Sequence, residues 1–262
     1  MRFRQVMAYL CYFFRARHRK GHGIHSPFMY DFVANVMNDS KKYQDYCLAE
    51  DCRKILLKDN TLIEVVDFGA GSRAHNSRHR TVASIARNAS ITPKYGRILY
   101  RMARYYQQEL IIELGTSLGI GTHYLAAGNP DAKVITVEGD PSLAAMAAKW
   151  FSQNNLKNVT VINNTFEKAL PALIPESPCT TMIFIDGNHS YAATLEYTRF
   201  FLAQIPDGSL VIFDDINWSD GMRKAWKEIR EDRKSSITID LFHMGIVIKN
   251  DQLFKENYTI RF

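Results

Sequence analysis

Ile111-Ile112-Glu113-Leu114-Gly115-Thr116-Ser117-Leu118-Gly119-Ile120-Gly121-Thr122 is an apolar run that ends in a carboxylate and passes into a glycine-studded turn. The pattern predicts a strand, a tight loop and a helix. Glycines at 115, 119 and 121 let the backbone turn sharply and approach a ligand closely, and the N–H groups that open the next helix can receive a carboxylate or phosphate. Many unrelated α/β folds carry such a loop, so its meaning rests on the strands C-terminal to it. Val134 to Glu138 is a second apolar strand ending in an acid, 25 residues after Glu113. That is roughly where a ribose-binding carboxylate stands in dinucleotide-type folds. Met182 to Asp186 and Leu210 to Asp215 read as two further strands, ending in Asp186 and in the pair Asp214-Asp215. Four successive strands thus end in carboxylates, at the sheet edge where open α/β folds bind ligands. The turn is also wider than the G-x-G-x-x-G of nicotinamide and flavin sites, which makes a redox enzyme the lesser reading.

The segments ELGTSLGIGT, VITVEGDPSLAAMAAKWF, FIDGNHSY and VIFDDINW succeed one another in the order and spacing of class I S-adenosylmethionine-dependent methyltransferases. Over Glu113 to Asp215 the chain resembles this family, and within it the catechol and caffeoyl-CoA O-methyltransferases. The resemblance implies a Rossmann-like α/β fold, a seven-stranded sheet with helices on both faces. It also implies S-adenosylmethionine as cofactor. The turn carrying Gly115, Thr116, Ser117, Gly119 and Gly121 would wrap the methionine moiety, Glu113 receive its ammonium, and Glu138 take both ribose hydroxyls. Thr165 and Phe166 fall where the family meets the adenine ring. A solvated strand end is the plain alternative for Glu138.

By the same resemblance Asp186, Asp214 and Asp215 occupy the metal-ligand positions of the catechol type, with Asp215 in place of its Asn. Clustered oxygen ligands suit Mg2+ or another hard divalent cation, which would lower the pKa of a substrate hydroxyl. In metal-independent relatives Asp186 serves the cofactor, and Asp214-Asp215 would cap the next helix; both readings stay open. His189, three residues after Asp186, stands where the catechol type has its catalytic lysine, and a neutral imidazole can take a proton near physiological pH. His189 and Asp186 are therefore the candidate catalytic residues, with Trp218 and Tyr191 as candidate pocket walls.

The first 30 residues hold six basic side chains (Arg2, Arg4, Arg15, Arg17, Arg19, Lys20) and no acid, and so account for the net charge of +6. Positions 3, 6, 7, 10, 13 and 14 place apolar side chains on one helical face of that arm. Packing on its own domain, packing on a second copy as a homodimer, and contact with nucleic acid or an anionic membrane surface all fit. His18, His22 and His25 read as an anchored loop rather than a metal site. Four scattered cysteines without a C-x-x-C pair suit reduced thiols and a cytoplasmic location, and the apolar run Val6–Phe14 is too short for a membrane span or signal peptide.

Along the chain, helices are expected at about 3–19, from Ser26-Pro27 to Met37, over 41–57 and over 90–108. A strand pair at 237–242 and 245–248 closes the sheet. Asp67-Phe68-Gly69-Ala70-Gly71-Ser72 imitates the first methyltransferase motif. The cationic stretch Arg73–Arg80 after it assigns it instead to an accessory region, as a basic loop over the site or a solvated turn. Two parts are expected: a mainly helical basic extension over 1–90, and a methyltransferase domain over 91–262. The acting function is expected to be O-methylation of a small-molecule hydroxyl. RNA- or surface-binding with an auxiliary cofactor site, or a non-catalytic cofactor sensor, are the alternatives. The first 90 residues tie to no acceptor.

Overall fold

The computed structural model describes residues 2–17, 24, 26–66 and 79–262. In chain order the elements are α1 (Arg2–Arg15), α2 (Pro27–Phe32, running on as a π turn over Val33–Met37), α3 (Asp45–Leu56), β1 (Leu62–Glu64), β2 (His79–Thr81), α4 (Val82–Asn88), α5 (Pro93–Tyr106) and β3 (Leu110–Leu114). Next come α6 (Ile120–Gly128), β4 (Lys133–Glu138), α7 (Pro141–Gln153), β5 (Val159–Asn163), α8 (Phe166–Ala169), β6 (Thr181–Ile185) and α9 (Tyr191–Gln204). The last are β7 (Leu210–Phe213), α10 (Asp220–Glu231), β8 (Ile237–Asp240), β9 (Gly245–Ile248) and β10 (Glu256–Thr259). From β3 to β8 strand and helix alternate, so the α/β class forms as expected.

Local chemistry accounts for the boundaries. Every residue of β3, β6 and β7 is buried, as parallel strands covered on both faces require. Helices open on side chains that accept an otherwise orphaned N–H: Ser26 for α2, Thr81 for α4, Asp140 for α7, Ser190 for α9 and Ser219 for α10. Pro27, Pro93 and Pro141 occupy first-turn positions, where a missing N–H costs nothing.

The chain packs as two compact units, Ser40–Glu176, and Met1–Asp39 with Ser177–Phe262. In the first, β4 lies between β3 and β5, both parallel to it. Helices α5 and α6 meet closely: a Cβ on Gly128 would lie 2.5 Å from the Tyr100 carbonyl. The β1–β2 pair is antiparallel. Val82, Ile85 and Ala86 of α4 form a core with Leu118 and Leu143.

In the second unit the strand order is β10-β8-β9-β7-β6, with β9 antiparallel to both β7 and β8, and β6–β7 and β10–β8 parallel. The N-terminal helix is tied to the C-terminus here. Tyr12 Oη donates to the Ile260 carbonyl at 2.5 Å and accepts from Phe262 N at 3.1 Å. Arg17 N donates to the Thr259 carbonyl at 3.0 Å.

Three expectations are corrected. β10 makes eight core strands rather than seven; its Glu-Asn-Tyr-Thr lacks the apolar alternation that reveals a strand, because it is an edge strand with only partial burial. α1 ends at Arg15 rather than 19, since Arg17 already pairs with the segment at the end of β10. The helix expected over 41–57 starts only at Asp45. Residues 40–90 belong to the unit Ser40–Glu176, and 1–39 to the unit that also holds Ser177–Phe262. The Asp67–Ser72 motif, most of the cationic stretch after it, and His18, His22 and His25 lie outside the described residues.

Candidate functional site

In the unit Ser40–Glu176 the loop after β3 meets the acid at the end of β4. Register pairs Glu113 with Thr136, and Glu138 stands two residues later on the same face. The Glu113 carboxylate is buried. It accepts from the Thr136 hydroxyl at 2.5 Å and from the Thr122 hydroxyl in the first turn of α6. Thr116 extends this chain through a 2.6 Å bond to Thr136. Burial pushes the Glu113 carboxyl up to about 7, against the two hydroxyl bonds, and the nearby Glu138 charge adds to the rise. No cationic side chain among the described residues pairs with it.

Glu138 accepts from Ser117 N at 2.8 Å and from Asp140 N at 2.9 Å. Burial moves its carboxyl upward, while those backbone N–H groups pull the other way. The loop bends through Gly115 (φ +107), Ser117 (φ +48) and Gly119 (φ +80). Gly119 is needed twice: its backbone is left-handed, and a Cβ there would lie 2.6 Å from the Phe151 ring. The loop after β5 is held near Glu138, because Asn163 Nδ2 and Asn164 N both donate to the Glu138 carbonyl, at 2.8 and 3.1 Å. Thr165 then stands at the N-terminal flank of α8, which begins at Phe166, without a side-chain capping bond. Val66 N donates to Asp140 Oδ2 at 2.6 Å, so Val66, after β1, lies beside the same loop. The structure brings Glu113, Gly115, Thr116, Ser117, Gly119 and Glu138 into one cluster and adds the Thr122 and Thr136 hydroxyls, which sequence reading passes over.

In the unit containing Ser177–Phe262, Ile185 pairs with Phe213, so Asp186 and Asp214 leave neighbouring strand ends. Their side chains share a hydrogen bond. Burial and the Asp215 charge push the Asp214 carboxyl up to about 7. Asp215 has left-handed backbone (φ +53) and lies 3.8 Å from His243 Nδ1, while His189 Nε2 lies 3.7 Å from Asp186 Oδ1. Enclosure holds the His189 imidazole below its ordinary pKa, against the Asp215 charge, so it is neutral at physiological pH. Ser219 rather than the aspartate pair caps α10. Tyr191 donates to Glu228 Oε1 at 2.7 Å, and Trp218 is part-exposed at 39%.

Among the described residues no three His, Cys, Asp or Glu side chains are gathered closely enough to hold a metal ion. Asp186 and Asp214 come together, but Asp215 lies toward His243, and the three expected ligands do not form one donor set. The cofactor residues fit better: a buried carboxylate without a cation suits an ammonium, and Glu138 keeps lone pairs for two hydroxyls.

Residues 112–216 match the family profile described as a methyltransferase domain. A catechol O-methyltransferase of Niastella koreensis is 32% identical over 130 residues, which cover 48% of this chain and 58% of that protein. The chain thus spans somewhat over half the length of this curated relative. Among solved structures, an O-methyltransferase from Bacillus cereus in complex with SAH aligns with a TM-score of 0.53 and 22% identity, over 62% of this chain and 83% of its own. A SAH-bound methyltransferase of Podospora anserina aligns with a TM-score of 0.58 and 15% identity, over 87% and 98%. These likenesses show the fold.

Proposed function

We propose that this chain, whose residues 112–216 match the family profile described as a methyltransferase domain, moves the methyl group of S-adenosylmethionine to a hydroxyl of a small molecule. The observation that carries this is Glu113, a buried carboxylate with a raised pKa, fixed by two threonine hydroxyls and without a cation partner among the described residues. A ligand ammonium supplies the missing charge, and Glu138 is placed to hold a ribose diol.

When bound, the cofactor supplies an already activated methyl group, so the chain's task is positioning, exclusion of water and removal of one proton. Ser117 N and Asp140 N fix the Glu138 carboxylate before the ligand arrives. Thr122 and Thr136 do the same for Glu113. Thr165 and Phe166, tied to Glu138 through Asn163 and Asn164, are assigned to the adenine ring. His189, neutral and beside Asp186, is assigned to take the acceptor proton; Asp186 orients the imidazole and stabilises its charged form.

The metal-assisted form of this reading would use Asp186, Asp214 and Asp215 with Mg2+ or a similar cation. Because these side chains do not form one donor set, no step is routed through a metal. Chelator-treated protein should keep its turnover within about twofold; a loss restored by Mg2+ would reinstate the cation. The decisive assay tracks labelled methyl transfer from S-adenosylmethionine to a panel of hydroxylated aromatic acceptors. Glu138→Ala should abolish transfer, and His189→Ala should lower kcat by about 10²–10⁴ with little change in cofactor affinity. Wild-type activity in either variant would overturn that residue's role.

A second reading concerns α1. It docks through Tyr12 and Ala16, yet Val6, Met7, Leu10, Phe13 and Phe14 are exposed, and the arm carries no acid. That combination favours an anionic membrane surface over a second copy of an equally cationic arm. Co-sedimentation with phosphatidylserine vesicles, lost in Leu10→Ser/Phe14→Ser, would support it. No described helix is long and apolar enough to cross a membrane.

A further inference from the structure

One face of α10 is cationic in a regular stripe. Arg223, Lys227 and Arg230 recur at intervals of four and three residues, and so share one side of the helix. They line a cavity of about 430 Å3, within the roughly 300–1,000 Å3 of small-molecule sites. Arg15, from the last turn of α1, and Asn257, from β10, close it within the same unit.

The charges are incompletely balanced. Arg223 pairs with Asp220, Lys227 stands 3.9 Å from Glu231, and Arg230 stands 3.9 Å from Asp240. Arg15 has no carboxylate partner among the described residues. Two of the three helix pairs are therefore long, and a fourth cation is added to the same space. Burial holds the Arg230 guanidinium below its ordinary range; Asp240 opposes this, and Arg15 adds to it. Lys255 is lowered by burial too, with Arg230 among the causes and Asp232 opposing. Glu231 lines the cavity as well, so four cations face one carboxylate there, and the excess of positive charge calls for an anion. Asn257 adds amide donors: its Oδ1 accepts from Thr238 at 2.5 Å, which leaves its NH2 group for a ligand. Several guanidiniums recognise phosphoryl oxygens better than a single carboxylate, because each presents a planar fork of donors.

We infer that the cavity between α10, Arg15 and Asn257 is a binding site for a small soluble compound bearing phosphoryl groups. It is built from residues other than those assigned to cofactor or acceptor, and it does not depend on the methyltransferase reading. Such a site would serve as an effector site or hold a phosphorylated part of a larger ligand.

The test is calorimetric titration of the full chain with inorganic tripolyphosphate at physiological salt. Arg15→Gln/Lys227→Gln is the variant, and Lys54→Gln/Lys58→Gln is a control with the same change in net charge. Thermal unfolding without ligand checks that each variant folds. The site predicts saturable binding by the wild-type chain, weakened at least tenfold in the first variant and within twofold of wild type in the control. Absence of saturable binding, or equal weakening in both variants, would overturn it. A second arm uses phosphatidylcholine vesicles containing phosphatidate. Sensitivity to Arg15→Gln/Lys227→Gln confined to vesicles would assign the phosphate to a lipid headgroup and overturn the soluble ligand.

Discussion

At the scale of single residues, Glu113 has the clearest energetic signature. Its carboxyl lies at about 7 rather than the ordinary 4.5. A raised folded-state pKa means that the stability it contributes is fully present below pH 4.5 and is lost as pH rises through 7; the difference is about 3 kcal/mol. Glu113→Gln keeps the shape without the charge. The stability of the wild-type chain should therefore fall relative to Glu113→Gln between pH 5 and 8, as measured by urea unfolding; a difference that stays flat with pH would contradict the assignment. A cationic ligand would pull the carboxyl back down, so S-adenosylmethionine affinity should rise between pH 5.5 and 7 in the wild type and stay level in Glu113→Gln. Gly119 makes a second prediction at this scale. Gly119→Ala puts a left-handed alanine against the Phe151 ring, and should destabilise the chain by about 2–4 kcal/mol in the same assay. Glycine at 119 was legible as a turn requirement, whereas its steric conflict with Phe151 needed the fold, since 32 residues separate the two. Six left-handed residues among those described are not glycines, and four of them, Ser117, Asn188, Asp215 and Phe242, lie within three residues of the end of a core strand. Backbone held in this way, at strand ends, is where strain is commonly stored for function.

At the scale of elements, caps position chemistry. Ser190 opens α9 directly after His189, and its hydroxyl accepts from Ala193 N at 3.4 Å. Ser190→Ala should cost about 1 kcal/mol and lower kcat through a less fixed His189, while cofactor affinity holds; unchanged kcat would detach His189 from the mechanism. The strands β3, β4, β6 and β7 were readable because burial on both faces writes itself as continuous apolar runs closed by acids. β10 was not, because an edge strand is held by backbone bonds that any sequence can make. α4 was likewise hidden: seven residues beginning at Val82 are too few to show a helical period, and their apolar side chains are used against Leu118 and Leu143. The cofactor half of the candidate site could be read from strand-end acids. Thr122 and Thr136 were passed over because a threonine carries no signal of its own until register places Thr136 opposite Glu113 and the first turn of α6 brings Thr122 to the same carboxylate.

At the scale of the whole molecule, the N-terminal arm is part of the second unit. Tyr12 joins α1 to the last residues of the chain, and burial moves its hydroxyl from 10 up to about 12. Tyr12→Phe should cost about 1–2 kcal/mol and speed amide exchange at Arg17 and Ile260, because two hydrogen bonds to the C-terminus are lost. Unchanged exchange would mean that α1 is held by its apolar side chains alone. The central claim is that Glu113 and Glu138 together hold S-adenosylmethionine. Calorimetric titration of the wild-type chain and Glu138→Ala with S-adenosylmethionine, and of the wild type with NADH, tests it most directly. The account predicts one-to-one S-adenosylmethionine binding that falls at least tenfold in Glu138→Ala, and no NADH binding; absence of S-adenosylmethionine binding, or binding indifferent to Glu138→Ala, would contradict it.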